Sequence, residues 1–273
     1  AGGVKVSGSV GFASGVDHSG WAMALVLIDG VGHQVLLPRR DYEVEDTWFV
    51  SGMRGTGTKD INVPGTFVPD HRIMPSITFN EQNPPGAGIH DSYIYAMEFS
   101  PVQGSSPLGP LIGTAEGALG HYVAMTRTKK GAIFGNKIAE NAAVQMRVSE
   151  SAAEIHAADV VAQNDFAFLH GAAKSGRRLS DEERTAIVRN RALIAKMCVR
   201  ATQRLVQMMG ASGLSDDNPV QRHYRDVQGM ATQIGVAFDV NMPPWGRWAL
   251  GLDPGPGLHG SEELRVKPGH RVT

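Results

Sequence analysis

Ser105-Ser106-Pro107-Leu108-Gly109-Pro110 separates two patterns of apolar residues. Proline lacks an amide hydrogen, and serine side chains compete for backbone groups, so the stretch reads as a break between elements. Downstream, apolar residues recur at steps of three and four. Leu111 to Thr128 carries small and apolar residues at helical spacing, Gly135-Asn136 interrupts, and Ile138, Ala142, Gln145, Val148, Ala152 and Ile155 continue the period to about His170. Ser180-Asp181-Glu182-Glu183 has the form of a capping box, opening a helix that runs to about Met209 and stops at Gly210-Ala211-Ser212-Gly213. Asn218-Pro219 places a cap before a proline at the first helical position, which predicts a fourth helix over 219–237.

Upstream of the break the runs are short, β-branched and punctuated by Gly, Asp or Pro. They are Val4 to Val6, Ala22 to Ile28, Gln34 to Leu37, Tyr42 to Val50 and Ile61 to Val68. Asp29-Gly30-Val31-Gly32 reads as a hairpin turn. The expected fold class is α+β. A small antiparallel β-barrel or sandwich fills 1–80, and a connection with at most a short helix near Ser92 to Met97 fills 81–109. A four-helix bundle over 110–250 and a tail over 251–273 follow.

Of the 273 residues, 42% are apolar and 19% charged, with a formal net charge of -1. That excludes a disordered chain and a nucleic-acid binder working through a strong positive field. No run approaches the ~18 apolar residues of a membrane span, and no signal-peptide pattern opens the sequence, so a cytoplasmic protein without a membrane partner is expected. Cys198, the single cysteine, lies in an apolar helical stretch and reads as a buried structural thiol. Ala1-Gly2-Gly3-Val4 leads straight into a strand pattern with no initiator methionine, so an incomplete chain is expected.

Unaided chemical motifs are few. Gly52-Met53-Arg54-Gly55-Thr56-Gly57 looks like a phosphate loop but lacks the terminal Gly-Lys-Ser/Thr and leads into no helix, so it reads as a tight turn. The ten histidines show no metal-ligand spacing, and no metal is expected.

A combination rises above this background. Phe12-Ala13-Ser14-Gly15-Val16-Asp17-His18-Ser19-Gly20-Trp21 is followed by the segment Asp46 to Asp60, by Phe67-Val68-Pro69, and later by Asn218-Pro219-Val220-Gln221-Arg222-His223-Tyr224-Arg225-Asp226-Val227. In this order the motifs resemble the oxygenase components of two-component flavin-dependent monooxygenases on the acyl-CoA dehydrogenase fold, among them aromatic hydroxylases and dibenzothiophene monooxygenases. In that family a helical domain precedes the β-domain, and it is expected to be absent here.

The resemblance implies reduced FMN or FAD as cofactor, delivered by a separate flavin reductase. It also implies O2 as co-substrate, a small aromatic or polyketide-like substrate, and a homotetramer. It places the Ser14 hydroxyl near flavin N5, lines the ring with Phe12 and Ala13, packs Trp48 on its face and sets Thr58 on its tail. Arg127 is read either as a partner of the flavin phosphate or as a cation suited to a helix C-terminus. The substrate is expected near His90, Tyr93, Tyr95 and Met97. Arg225 and Asp226 are expected to pair within the bundle.

The family carries a histidine eight residues beyond the arginine of its Arg-Asp pair, and that position here is Gln233. Glutamine donates and accepts hydrogen bonds but takes no proton at neutral pH. Two alternatives therefore stand beside the oxygenase: an FAD-dependent acyl-CoA dehydrogenase, for which Asp226 and Asp239 are poorly placed as bases, and an inactive scaffold of the same fold.

Overall fold

The computed structural model describes residues 2–76, 89–131 and 135–255. The chain forms two compact units, one built from Ala1–Val50 and Arg54–Asp91, the other from Ser51–Met53 and Ser92–Pro254.

The first unit holds β1 (Gly3–Ala13), β2 (Trp21–Ile28), β3 (Val31–Pro38), β4 (Glu43–Glu45), β5 (Lys59–Pro69) and β6 (Ile73–Pro75). They make two antiparallel three-stranded sheets, ordered β1-β5-β4 and β2-β3-β6. Val6, Ile61, Val63 and Val68 of one sheet share a core with Ala24, Val26, Val35 and Leu37 of the other. Of the expected barrel or sandwich, no closed barrel is seen among the described residues; the strands lie in two three-stranded sheets. The hairpin between β2 and β3 turns on Asp29 and Gly30, both at positive φ (51° and 82°), which matches the twist of the strands it joins. The strand expected over Tyr42 to Val50 shrinks to Glu43–Glu45; Asp46, which follows, turns its carboxylate to Lys59 Nζ at 2.6 Å.

The second unit holds α1 (Phe99–Ser105), α2 (Leu108–Thr128), α3 (Ala142–Lys174), α4 (Asp181–Met209), α5 (Pro219–Ala231), α6 (Phe238–Asn241) and α7 (Pro243–Ala249). One core takes Leu111 and Ala115 from α2, Ile155 and Ala158 from α3, Ile194 and Cys198 from α4, and Val227 and Met230 from α5. Burial pushes the Cys198 thiol up to about 12, which makes it inert. The capping box is formed: Ser180 Oγ accepts from the Glu183 amide at 3.2 Å, and Glu183 Oε2 accepts from the Ser180 amide at 2.8 Å. Asn218 Oδ1 accepts from the Val220 amide at 3.0 Å, with Pro219 next to it.

Three boundaries differ from the reading. Helix α5 stops at Ala231, because the Gln233 carbonyl takes the amides of both Val236 and Ala237 and closes a turn. Helix α3 starts at its Asn141 cap, after a 3₁₀ turn over Ile138–Glu140. Helix α1 lies inside the stretch read as a connection; Pro101 sits in its first turn, where a missing amide hydrogen costs nothing. Near Ser92 the expected short helix is a 3₁₀ turn, Tyr93–Ala96. Part of the expected connection and most of the expected tail lie outside the described residues. No helix among the described residues is long and apolar enough to cross a membrane.

Candidate functional site

In the first unit, the end of β1 meets the loop that precedes β5. Register slips between Val10 and Ala13, and Phe12 adopts a left-handed φ of 60°, a conformation that costs a non-glycine residue about 1 kcal/mol. The Phe12 amide donates to Asp60 Oδ1 at 3.3 Å, and the ring is 79% exposed. Its ring stands edge-on to Trp48, with centroids 6.1 Å apart and planes at 85°. Gly15, at φ 77°, donates to the Gly57 carbonyl at 3.2 Å and draws the two loops together. The expected tight turn at 52–57 is there, with a 3₁₀ turn at Arg54–Thr56 and Arg54 Nε donating back to the Val50 carbonyl at 2.8 Å.

Between these loops runs a chain of hydroxyls. Ser14 Oγ lies 3.0 Å from Thr58 Oγ1, which lies 2.7 Å from Thr56 Oγ1. Thr58 is buried and Ser14 exposed. Three hydroxyls bring three O–H groups, and the two bonds between them use two; where Thr56 donates to Thr58 and Thr58 to Ser14, the remaining O–H is that of Ser14. A flat amphipathic ring system needs an aromatic wall beside an oriented donor, and Phe12, Trp48 and Ser14 supply that set; the residues fit a flavin. Nearby, Lys59 bonds Asp46 and lies 3.8 Å from Asp17. The hydrogen bond it donates to Asp46 is the first cause holding its ammonium pKa above the usual value.

The second unit holds Gln233, Arg127 and Tyr93 in separate places. Gln233 is exposed in the turn after α5, and its Oε1 accepts from the Gly235 amide at 2.6 Å. The sequence allowed this side chain to donate or accept; with one lone pair of Oε1 engaged by Gly235, the Nε2 amide can donate. Arg127 is exposed in the last turn of α2. Tyr93 Oη lies 3.0 Å from His170 Nδ1, with Lys174 Nζ 5.2 Å from the ring centroid, so α3 engages both its hydroxyl and its ring. His90 is exposed and belongs to the first unit.

Arg225 and Asp226 do not pair with each other. Arg225 Nη1 donates to the Ser51 carbonyl at 2.6 Å and Nε to Gln221 Oε1 at 2.7 Å, while Asp226 Oδ1 accepts from the Met53 amide at 2.7 Å. Together they clamp Ser51–Met53 to α5, and a methyl on Gly52 would meet the Arg225 carbonyl oxygen. Gly52→Ala is expected to cost about 1–3 kcal/mol, as overpacking against backbone does; urea unfolding of the two proteins side by side measures it.

Sequence reasoning also missed a histidine pair. His121 of α2 and His223 of α5 stack with ring centroids 5.3 Å apart and planes at 23°, over Gly117, where a Cβ would crowd the His223 ring at 3.1 Å. Burial first, then the Arg222 and His121 charges, hold the His223 pKa below the usual histidine value against the pull of Asp226. The two residues stand far apart in sequence, and nothing local marks them as neighbours.

One carboxylate titrates close to neutrality. Asp165 of α3 accepts from Asn190 Nδ2 at 3.0 and 3.1 Å, and burial, only partly offset by Asn190 and nearby arginines, raises its pKa to about 6. A folded pKa above the unfolded 3.8 means that the folded chain holds this proton longer. The contribution to stability is therefore complete below the unfolded value and lost as pH rises through about 6. In urea titrations across that window, Asp165→Asn is expected to gain stability relative to the parent as pH rises; a pH-independent difference would refute the assignment.

Residues 108–238 match the family model described as acyl-CoA dehydrogenase, C-terminal domain. The resorcinol hydroxylase of a Rhizobium species, an FADH2-dependent oxygenase component, is 31% identical over 93% of this chain and 66% of its own. The oxygenase subunit HsaA of a Mycobacterium tuberculosis flavin-dependent monooxygenase is 28% identical over 93% of this chain and 66% of its own. The crystal structure of 3-HSA hydroxylase from Rhodococcus sp. RHA1 superposes with a TM-score of 0.85 at 25% identity, over 94% of this chain and 67% of that one. The chain thus spans about two-thirds of the length of the curated relatives it matches. With antiparallel sheets in one unit, a matched helical domain in the other and these relatives along nearly its whole length, the chain is a homologue of flavin-dependent monooxygenase oxygenase components on the acyl-CoA dehydrogenase-like fold.

Proposed function

We propose that the chain is the oxygenase component of a two-component flavin-dependent monooxygenase that hydroxylates a small aromatic or polyketide-like molecule. The observation that carries the reading is the Ser14-Thr58-Thr56 hydroxyl chain beside the edge-on Phe12–Trp48 pair. When bound, the reduced flavin, FMN or FAD, supplies the electrons that activate O2. Thr58, buried between its two neighbours, orients Ser14, and Ser14 offers the remaining O–H to the cofactor ring. Phe12 and Trp48 wall the ring and keep water from one side of it. Gln233 donates from Nε2 and takes no proton, so the proton of a phenolic substrate leaves to another group or to solvent. Arg127 suits a phosphate, and His90 and Tyr93 stand for the substrate side. A separate reductase delivers the flavin, the four long helices form the bundle, and the working form is a cytoplasmic homotetramer. Residues 1–80 make the flavin-contacting domain and 110–250 the helical one.

Gln233, which takes no proton at neutral pH, favours one rival, an inactive scaffold of the same fold. Anaerobic titration with reduced FMN and reduced FAD, followed by oxygen and a panel of phenols, separates the two. Binding of a reduced flavin and oxygen-dependent appearance of hydroxylated product are expected. Absence of binding to either flavin overturns the proposal, and binding with no product from any phenol favours the scaffold.

A further inference from the structure

The turn that carries Gln233 is wired to the interior of the second unit through two buried polar residues. Arg191 of α4 is 7% exposed and Asn241 of α6 is 4% exposed. Arg191 Nη2 donates to Asn241 Oδ1 at 2.9 Å, and Nη1 reaches the Ser100 carbonyl of α1 at 3.4 Å. Asn241 Nδ2 in turn donates to the carbonyls of Ile234 and Ala237, each at 2.8 Å. Both hydrogens of that amide are thus spent on the turn, and its oxygen on the guanidinium. The turn closes on itself through the Gln233 carbonyl, which accepts from Val236 and Ala237, and through Gln233 Oε1, which accepts from Gly235. Gly235 has no room for a Cβ, which would lie 2.8 Å from both Gln233 Oε1 and the Gly104 carbonyl oxygen.

Burying a guanidinium is costly, and apolar residues of similar volume commonly serve stability as well or better. Arg191 even keeps its Nε buried without a partner among the described residues. Packing alone gives no reason for an arginine there; the shape of the turn does. We infer that Arg191 and Asn241 are positioning residues that set the conformation of the Gln233 side chain, so that its Nε2 amide is held ready for the cofactor or substrate. The functional half of this inference rests on the oxygenase reading above, while the wiring itself does not.

Asn241→Asp is the discriminating variant. It keeps an acceptor for Arg191, removes both donors to the turn and sets a carboxylate oxygen against two carbonyl oxygens. Hydrogen exchange on the full chain is expected to speed up at least about tenfold at the amides of Gly235, Val236 and Ala237, with amides around Cys198 unchanged. In turnover with an aromatic substrate, kcat is expected to drop to the level of Gln233→Ala with KM unaltered, and the double variant to drop no further. Arg191→Met should give the same pattern and Arg191→Lys recover part of it. Unchanged exchange in Asn241→Asp, or losses that multiply in the double variant, would overturn the inference. If the parent chain shows no hydroxylation, the exchange result still decides the wiring, and the missing turnover counts against the oxygenase reading alone.

Discussion

Replacing Ser14 with alanine is expected to lower hydroxylation turnover about a hundredfold, the usual effect of losing one oriented donor at a reacting centre, while leaving the fold intact. The hydroxyl is exposed and bonds only to Thr58 among the contacts at this site, so its removal creates no buried cavity. Thr58 keeps its 2.7 Å bond to Thr56. Thr58→Val should reproduce part of the loss through orientation alone, because Ser14 then keeps its own donor but no partner holds it. Steady-state kcat, together with titration of reduced flavin, measures both. A Ser14→Ala variant that turns over like the parent would remove the hydroxyl chain from the mechanism.

Arg184→Met is expected to lower stability by about 3–5 kcal/mol, the cost of leaving a largely buried carboxylate without its main partner. Arg184 and Glu98 are 7% and 12% exposed at the side chain and 2.9 Å apart. Glu98 precedes α1, Arg184 lies in the first turn of α4, and Glu98 Oε1 also accepts from the Leu179 amide at 2.8 Å. One carboxylate therefore ties three segments together. Adding Glu98→Gln to Arg184→Met should recover part of the loss, because the neutral amide still accepts from Leu179 but needs no counter-charge. Chemical denaturation of the parent, both single variants and the double variant closes the cycle. A loss below about 1 kcal/mol, the range of exposed ion pairs, would mean that solvent reaches the site freely.

Local chemistry made much of the fold legible. Ser180 with Glu183, Asn218 with Pro219, and Asp29 with Gly30 each work through the backbone next to them, so the sequence states their role and the structure repeats it. The turn at 52–57 was legible from its glycines and the burial of Cys198 from the helical period around it, though the partners of both lie far along the chain. What stayed illegible depends on distant partners. Helix α1 hides in a Pro, Gly and Ser-rich stretch because Glu98 and Arg184 hold it from outside. Helix α5 ends early through a turn that Asn241 braces from ten residues beyond Ala231. At the candidate site, the resemblance led to Ser14, Thr58, Phe12 and Trp48, and the contacts among them could only come from the structure. Thr56, the third hydroxyl, was in view as a turn residue but gave no sign of its bond to Thr58.

The slip near the end of β1 has a further meaning when the strand is counted by parity. Val4, Val6 and Val10 turn inward, all on even numbers, so an unbroken strand would send Phe12 into the core as well. The extra residue shifts the count: Ala13 takes the inner place and Phe12 comes out. With Gly11 in the strand, it is the bulge that brings Phe12 to the outer face. Losing Gly11 would remove the extra residue: Phe12 would follow Val10 and still face outward, Ala13 would still face inward, and the left-handed φ at Phe12 would no longer be required.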